Sequence, residues 1–299
     1  MKAAAIENAQ LAPARGRLVN DIFELVKARL TLLVLLTTAV GYYLGAESPI
    51  DSMGLFHVVF GTAAAAAGAA ALNQWWEHQL DALMHRTRER PVPAGRMRPF
   101  EALLLGAALS IVGVGYLAFT CNALSAVLAA ITIGIYIFGY TPLKRTSTGN
   151  TAVGTIPGAI PPMIGWAAAR GALDGGAWSL FVIMILWQFP HFFAIAWMYR
   201  EDYSRAGFQM ISTGDRTGER SASQSVFFCI LLLIVGALPA FLDVVKMVYV
   251  PCEIALGAVF VAMAMRFLRL RTVAAARLLF IASIIYLPLL LATLVLTKS

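Results

Sequence analysis

The chain has 299 residues, 60% of them hydrophobic and 13% charged, with a mean hydropathy of +0.75. This composition excludes an ordinary soluble domain and is typical of an integral membrane protein. The net charge of +7 lies mostly between apolar runs, so it indicates membrane topology and gives no sign of nucleic-acid binding.

Apolar runs of about 20 residues, long enough to cross the ~30 Å hydrocarbon layer of a bilayer, recur along the chain. We predict an all-α, polytopic membrane protein with nine transmembrane helices, at residues 29–46, 54–75, 100–120, 122–141, 151–169, 177–199, 223–245, 249–266 and 276–296. The third and fourth helices are nearly contiguous, so they are expected to form a tight hairpin. We predict that residues 1–20 form a cytoplasmic N-terminal segment and residues 21–299 a single integral-membrane domain.

Charge placement predicts the orientation of these helices. With a cytoplasmic N-terminus, all 23 Lys and Arg residues except Arg170, Lys246 and Lys298 fall on the cytoplasmic side. That bias follows the positive-inside rule. An odd number of helices then places the C-terminus outside. The longer, polar loops that carry most of the acids lie on the cytoplasmic face.

The most informative block lies at the end of the second predicted helix. Asn73, Glu77 and Asp81 are spaced at intervals of four, so on a helix their oxygen-bearing side chains share one face. Oxygen ligands without cysteine suit a hard cation such as Mg²⁺. Arg86 and Arg90 follow, and such arginines beside a bound metal can take a diphosphate. The alternative is a polar helix end that meets water, followed by arginines that serve topology alone.

A second block, YTPLKRTSTGN at residues 140–150, places Lys144 and Arg145 after a proline turn among hydroxyl side chains. Basic and hydroxyl donors together are typical of a phosphate-facing loop, although this block is not a glycine-rich P-loop. The alternative is that the two basic residues anchor the loop at the membrane surface.

The predicted helix at 151–169 contains Pro157, Pro161 and Pro162. Prolines remove helical hydrogen bonds, so we expect a broken helix whose freed polar groups find partners on neighbouring helices or in water. The second predicted helix is rich in Gly and Ala, which lets helices pack closely. For both helices, close packing and the wall of a cavity are equally good explanations.

The third block, WQFPHFFAIAWMYREDYSRAG at residues 187–207, combines a histidine inside the membrane with acids at the cytoplasmic end. Within a membrane helix, His191 more often faces the bundle interior, and the alternative is a hydrogen-bonded packing residue. Glu201 and Asp202 are expected at the same depth as Asp81. Two acidic ends that face one cavity could hold two cations around one diphosphate.

Together, these blocks resemble the UbiA-type intramembrane prenyltransferases, and among them the branch that farnesylates heme. The matching segments are NQWWEHQLDALMHRTRERPVPAG (73–95), YTPLKRTSTGNTAVGTIPGAIPPMIGW (140–166) and WQFPHFFAIAWMYREDYSRAG (187–207). The first segment indicates the superfamily, and the other two indicate the heme branch. The likeness in hydropathy extends over about residues 20–297.

The resemblance implies a nine-helix bundle around a central cavity that opens sideways to lipid. It implies transfer of the farnesyl group from farnesyl diphosphate to the 2-vinyl group of heme b, giving heme O, with Mg²⁺ as cofactor. The implied setting is a bacterial cytoplasmic (inner) membrane with the active site toward the cytoplasm. The implied partners are the two substrates, the lipid bilayer and a downstream heme A synthase or terminal oxidase assembly, and no nucleic acid is expected.

The resemblance also assigns roles to single residues. It assigns catalysis to Asn73, Glu77, Asp81, Arg86, Arg90 and His191. It assigns Mg²⁺ to Asn73, Glu77, Asp81 and Asp202. It assigns the diphosphate, or a heme propionate, to Arg86, Arg90, Lys144 and Arg145. Aromatic faces can stabilise a farnesyl cation, and the candidates are Tyr136, Tyr140, Trp187, Phe189 and Phe192.

Two positions depart from the family pattern. Glu77 stands where many members have Asp, which lengthens the ligand arm by one methylene. Asp202 is followed by Ala206, where the wider superfamily has a second acid four residues later. The second metal site therefore has fewer ligands than the first.

Two other functions fit parts of the pattern. Another UbiA-type transfer, onto a quinone precursor or chlorophyllide, would use the same diphosphate site. A transporter would use the acids to bind a coupling ion, but it gives no reason for acids and arginines to cluster on one membrane face.

Overall fold

The computed structural model describes residues 14–299, and nearly all regular structure in it is helical. The helices are α1 (Ala14–Leu25), α2 (Ala28–Gly45), α3 (Ser52–Asp81), α4 (Pro99–Thr120), α5 (Ala123–Gly134), α6 (Thr141–Leu143), α7 (Asn150–Ala159), α8 (Pro161–Arg170), α9 (Gly175–Met198), α10 (Arg200–Arg205), α11 (Glu219–Val235), α12 (Leu238–Phe241), α13 (Tyr249–Leu270) and α14 (Val273–Leu296). A π-helical turn (Ile135–Tyr140) joins α5 to α6, and a 3₁₀ turn (Ile211–Thr213) follows α10. The all-α prediction is confirmed for these residues.

Eight helical segments in the described part of the chain are long and apolar enough to cross a membrane: α2, α3, α4, Ala123–Leu143, α9, Glu219–Phe241, α13 and α14. They coincide with eight of the nine predicted spans, so the polytopic membrane protein is confirmed. The remaining span, 151–169, is the helix pair α7 and α8, of 10 residues each. The count of nine, the central cavity and the orientation of the termini stay predictions.

Most of the predicted N-terminal segment 1–20 lies outside the described residues. Its last part, 14–20, belongs to α1. The division into this segment and a single membrane domain stays a prediction.

The helix break at Ile160 follows from the prolines around it. Gln188 of α9 lies beside the break, and its side-chain amide donates to the carbonyl oxygens of Thr155 and Met184, both at 3.0 Å. Gly158 makes room for this amide, because a Cβ there would collide with it. A neighbouring helix thus supplies polar partners at the broken segment, as a lipid environment requires.

Small residues let the helices pack against each other's backbone. A Cβ on Gly113 of α4 would collide with the backbone of Ala65 in α3, and one on Gly165 of α8 with the carbonyl of Thr38 in α2. At these places, close packing is the explanation that the structure supports. The predicted hairpin is also present: α4 ends at Thr120, and Asn122 caps α5 by accepting a hydrogen bond from the amide of Ser125 at 2.9 Å.

The end of α3 is fixed by contacts with α1 and the following loop. Gln74 donates to the carbonyl oxygens of Glu24 and Leu25, at 2.9 and 3.0 Å. In the loop after α3, Arg96 donates to Asp21 at 2.8 Å. These contacts hold the polar loops against the end of the bundle where the candidate site lies.

Candidate active site

Asn73, Glu77 and Asp81 form a buried row of oxygen ligands on α3. The helix continues to Asp81, and the three residues are 1%, 4% and 1% exposed. The Asn73 amide donates to Glu77 Oε2 at 3.0 Å. The expected shared face is therefore present, and it points into protein rather than lipid or solvent.

Two basic side chains neutralise the carboxylates of this row. Lys144 Nζ donates to both oxygens of Glu77, at 2.8 and 2.9 Å. Arg90 Nη1 donates to Asp81 Oδ2 at 2.7 Å. Although burial opposes its charged form, the negative charge of Glu77 raises the pKa of Lys144 above its usual range. Lys144 is therefore a fixed positive charge at this site.

Lys27 contacts Asn73, the remaining side chain of the row. It lies between α1 and α2 in a left-handed backbone conformation (φ 50°). Its Nζ donates to Asn73 Oδ1 at 2.7 Å and lies 3.3 Å from the hydroxyl of Tyr136. Burial, and then the positive charges of Arg90 and Lys144, lower the pKa of Lys27 to about 7. In the sequence it is one of several basic residues before the first apolar run, and no pattern singles it out.

The π-helical turn places aromatic rings beside these cations. Tyr136 and Tyr140 stack at 5.8 Å between centroids, and Lys144 Nζ lies 4.4 Å from the centre of the Tyr140 ring. Thr141, which follows the turn, accepts a hydrogen bond from the Asn73 amide at 3.2 Å. Isolated π-helical turns are frequent at functional sites. Sequence reasoning found the two tyrosines and missed Thr141.

Arg145 is the basic residue that the structure leaves apart. It is exposed, and within the described residues its side chain makes no hydrogen bond or ion pair. Its backbone neighbour Lys144 is held inward, with its carbonyl accepting from the amide of Gln209 at 2.6 Å. A diphosphate role for Arg145 stays a prediction.

Asp202, on α10, is the acid predicted to support a second Mg²⁺. It has partners on its own helix and on the loop after α3. It is 9% exposed, and its Oδ1 accepts a hydrogen bond from Arg205 Nη1 at 2.8 Å. Its Oδ2 lies 3.4 Å from the backbone nitrogen of Arg86, whose guanidinium donates to the hydroxyl of Tyr203 at 3.3 Å. Glu201 points away, since its side chain is 82% exposed.

The loop after α3 contacts both Asp81, at the end of α3, and Asp202, on α10. Arg86 contacts Asp202, and Arg90, four residues later, contacts Asp81. The two carboxylates therefore lie at the same end of the bundle, as expected from the sequence.

His191 lies elsewhere in the bundle. On α9, its Nδ1 is 2.7 Å from the hydroxyl of Ser283, and its ring lies 5.0 Å from the rings of both Trp187 and Phe280. Within the described residues it makes no recorded contact with the row on α3. These contacts are those of a hydrogen-bonded packing residue, and a catalytic role for His191 stays a prediction.

The donor set fits Mg²⁺. No three His, Cys, Asp or Glu side chains converge in the described part of the chain. The row instead offers one amide oxygen and two carboxylates, which are hard ligands. Mg²⁺ characteristically binds through one or two carboxylates together with substrate phosphates. Each side chain of the row contacts a basic nitrogen through at least one oxygen, so the protein already places positive charge where a cation would bind.

Known proteins are similar in sequence to this chain over most of its length. The profile of the UbiA prenyltransferase family matches residues 34–289. A protoheme IX farnesyltransferase from Solibacter usitatus is 44% identical over 91% of this chain and 96% of its own length. One from Opitutus terrae is 42% identical over 96% of this chain and 97% of its own length.

Solved structures share the fold at low sequence identity. A structure from work on digeranylgeranylglyceryl phosphate synthase in membranes has a TM-score of 0.78 at 17% identity and covers 93% of this chain and 98% of that one. A UbiA homolog from Archaeoglobus fulgidus, bound to DMAPP and Mg²⁺, has a TM-score of 0.67 at 16% identity and covers 92% of this chain and 99% of that one.

Proposed function

The chain belongs to the UbiA prenyltransferase family, and on that premise we propose that it transfers the farnesyl group of farnesyl diphosphate to the 2-vinyl group of heme b, giving heme O. The names of relatives at 42–44% identity support this choice of substrates. The geometric observation that carries the proposal is the buried row of Asn73, Glu77 and Asp81, in which each side chain contacts its own basic nitrogen.

We propose that the carboxylates of this row exchange their basic partners for Mg²⁺. Glu77 and Asp81 are ion-paired to Lys144 and Arg90. Asn73, Glu77 and Asp81 would hold Mg²⁺, and Lys144 and Arg90 would then be free to donate to the diphosphate oxygens. Every buried charge then keeps a partner of opposite sign, so the exchange avoids the cost of an unpaired buried charge.

Bound Mg²⁺ would supply charge neutralisation of the diphosphate as the allylic C–O bond breaks. Lys144 and Arg90 stabilise the leaving diphosphate through charge-assisted hydrogen bonds. The faces of Tyr136 and Tyr140 favour the developing farnesyl cation. Because the row is buried, water is kept from that cation until the vinyl group attacks it. The attack leaves a cation on the inner carbon of the former vinyl group, and one water then adds there and loses a proton, which gives the hydroxyl of heme O.

Asp202 would support a second Mg²⁺, and Arg86 would bind the diphosphate or a heme propionate. Arg86 is suited to either anion because its planar guanidinium, 5.3 Å from the ring of Tyr199 and 3.3 Å from the hydroxyl of Tyr203, can donate in pairs to phosphate or carboxylate oxygens. The basic residues around this end of the bundle favour an active site toward the cytoplasm, and we propose a bacterial cytoplasmic membrane as its setting. Heme O would then pass to a heme A synthase or to terminal oxidase assembly.

The test is a choice between acceptors. Membranes containing the chain are incubated with farnesyl diphosphate, Mg²⁺ and either heme b or 4-hydroxybenzoate, and products are identified by mass spectrometry. We expect heme O from heme b, and about 10³-fold slower formation in membranes that carry Asp81→Asn. Prenylated 4-hydroxybenzoate without heme O would identify another UbiA-type transferase instead.

A further inference from the structure

A second polar region lies at the other end of the bundle. The 18 residues of α2 separate the two ends by about 27 Å. There, a cavity of about 490 Å³ opens between the end of α2, the end of α8, the start of α9 and the last residues of the chain. Neither substrate of the proposed reaction accounts for it.

Arg170 is the first cation of this cavity. Its Nε donates to the carbonyl of Gly45 at 2.8 Å, and its Nη1 lies 3.4 Å from Asp174. The guanidinium is also held 5.3 Å from the Trp166 ring. Within residues 14–299, Nη2 has no recorded partner, so a positioned guanidinium keeps donors free toward the cavity.

Lys298 is the second cation. Its Nζ donates to the carbonyl oxygens of Tyr43 and Ala46, at 2.7 and 2.6 Å, which leaves its third N–H free. No described carboxylate forms an ion pair with it. Burial, and then the positive charge of Arg170, lower the pKa of Lys298. Two neighbouring cations with spare donors favour an anionic group between them.

The same cavity also presents unpaired acids. Glu47 and Asp243 line it, and neither forms an ion pair with a described basic residue. With Asp174, the lining acids outnumber Arg170 and Lys298. An anion alone would therefore meet excess negative charge, while a cation alone would leave the free donors unused.

We propose that this cavity binds a zwitterionic headgroup that carries a phosphate and a primary ammonium, supplied by phosphatidylethanolamine of the bilayer. The phosphate accepts hydrogen bonds from Arg170 and Lys298, and the ammonium donates to Glu47 and Asp243. The volume falls in the range of small-molecule sites. The cavity lies at helix ends, next to Tyr43, which contacts Lys298, and near the half-exposed Trp178. Tyr and Trp are enriched at the depth of lipid headgroups.

The test measures lipid binding to the detergent-solubilised full chain by native mass spectrometry. Phosphatidylethanolamine is expected to bind about tenfold more tightly than phosphatidylcholine, whose quaternary ammonium has no N–H to donate. Arg170→Gln is expected to weaken phosphatidylethanolamine binding about tenfold. Lys246→Gln removes the same charge from an exposed position of that face outside the cavity, so it should leave binding unchanged.

Two further measurements test which parts of the lipid are recognised. The double variant Glu47→Gln/Asp243→Asn should abolish the preference over phosphatidylcholine while binding persists. Soluble glycerophosphoethanolamine should compete only weakly, because it lacks the acyl chains that lie in the bilayer. The proposal is overturned by equal binding of the two lipids, by tighter binding of phosphatidylglycerol, by equal effects of Arg170→Gln and Lys246→Gln, or by a soluble headgroup that competes as well as the lipid.

Discussion

The candidate site contains two acidic groups in different surroundings, the row on α3 and Asp202 on α10. The Glu77 and Asp81 side chains are 5% and 2% exposed, and their partners Lys144 and Arg90 are 13% and 19% exposed. Asp202 is paired with Arg205, whose side chain is 45% exposed. Water screens a half-exposed ion pair, whereas a buried carboxylate that loses its basic partner needs another positive charge in its place. The buried row is therefore suited to exchange its partners for a metal and a diphosphate, and we propose a supporting role for Asp202.

The largest effect is expected from Asp81→Asn. This change keeps the shape of the side chain but removes a buried carboxylate and leaves the charge of Arg90 without its partner. We expect heme O formation to fall about 10³-fold, measured as initial rate at saturating Mg²⁺. The detergent-solubilised variant should remain monodisperse. A loss below tenfold in a folded variant would mean that the allylic C–O bond does not break at this row.

Lys144→Met should separate catalysis from stability. Because Glu77 then stays buried without its cation, the free energy of unfolding is expected to fall by about 3–5 kcal/mol. Activity should fall about 10²-fold, since a donor to the diphosphate is lost. In the double variant Lys144→Met/Glu77→Gln, thermal unfolding should recover toward the native midpoint while activity stays low. Recovery of both would show that Lys144 has only a structural role and that the Glu77 carboxylate is not needed to hold Mg²⁺.

The change Asp202→Asn tests the contribution of the proposed second metal site. With no second acid at Ala206 and a solvent-screened partner, Asp202 is expected to contribute about tenfold to the rate. The concentration of Mg²⁺ that gives half-maximal activity should rise in the same proportion. An effect as large as that of Asp81→Asn would mean that the two ends are equivalent.

The smallest effects are expected at the exposed positions. Arg145→Gln and Glu201→Gln change side chains that lie in solvent. Each should change the reaction rate by less than about twofold and the free energy of unfolding by less than about 0.5 kcal/mol. Each has a buried sequence neighbour as its matched comparison, Lys144 and Asp202 respectively. A tenfold loss in Arg145→Gln would place its guanidinium at the diphosphate after all.

The sequence predicts helices and ligand rows better than it predicts contacts between distant segments. Hydropathy and spacing locate the membrane helices and the shared face of Asn73, Glu77 and Asp81, because both depend on helical periodicity alone. The contact of Lys27 with Asn73 joins residues 46 positions apart, and no local pattern predicts it. Neighbours in sequence can also separate in space, as Lys144 and Arg145 do. The buried contacts of His191 likewise depend on packing against α14.

The most direct test uses Mn²⁺ in place of Mg²⁺ with the protein and diphosphate, and measures phosphorus hyperfine coupling by electron-nuclear double resonance. The native protein and Asp202→Asn should both give a Mn²⁺ signal coupled to ³¹P, because the buried row holds the metal against the diphosphate. Asp81→Asn should lose it. A coupled signal that survives in Asp81→Asn and disappears in Asp202→Asn would contradict the account, since it would assign the diphosphate-bound metal to the other acidic end.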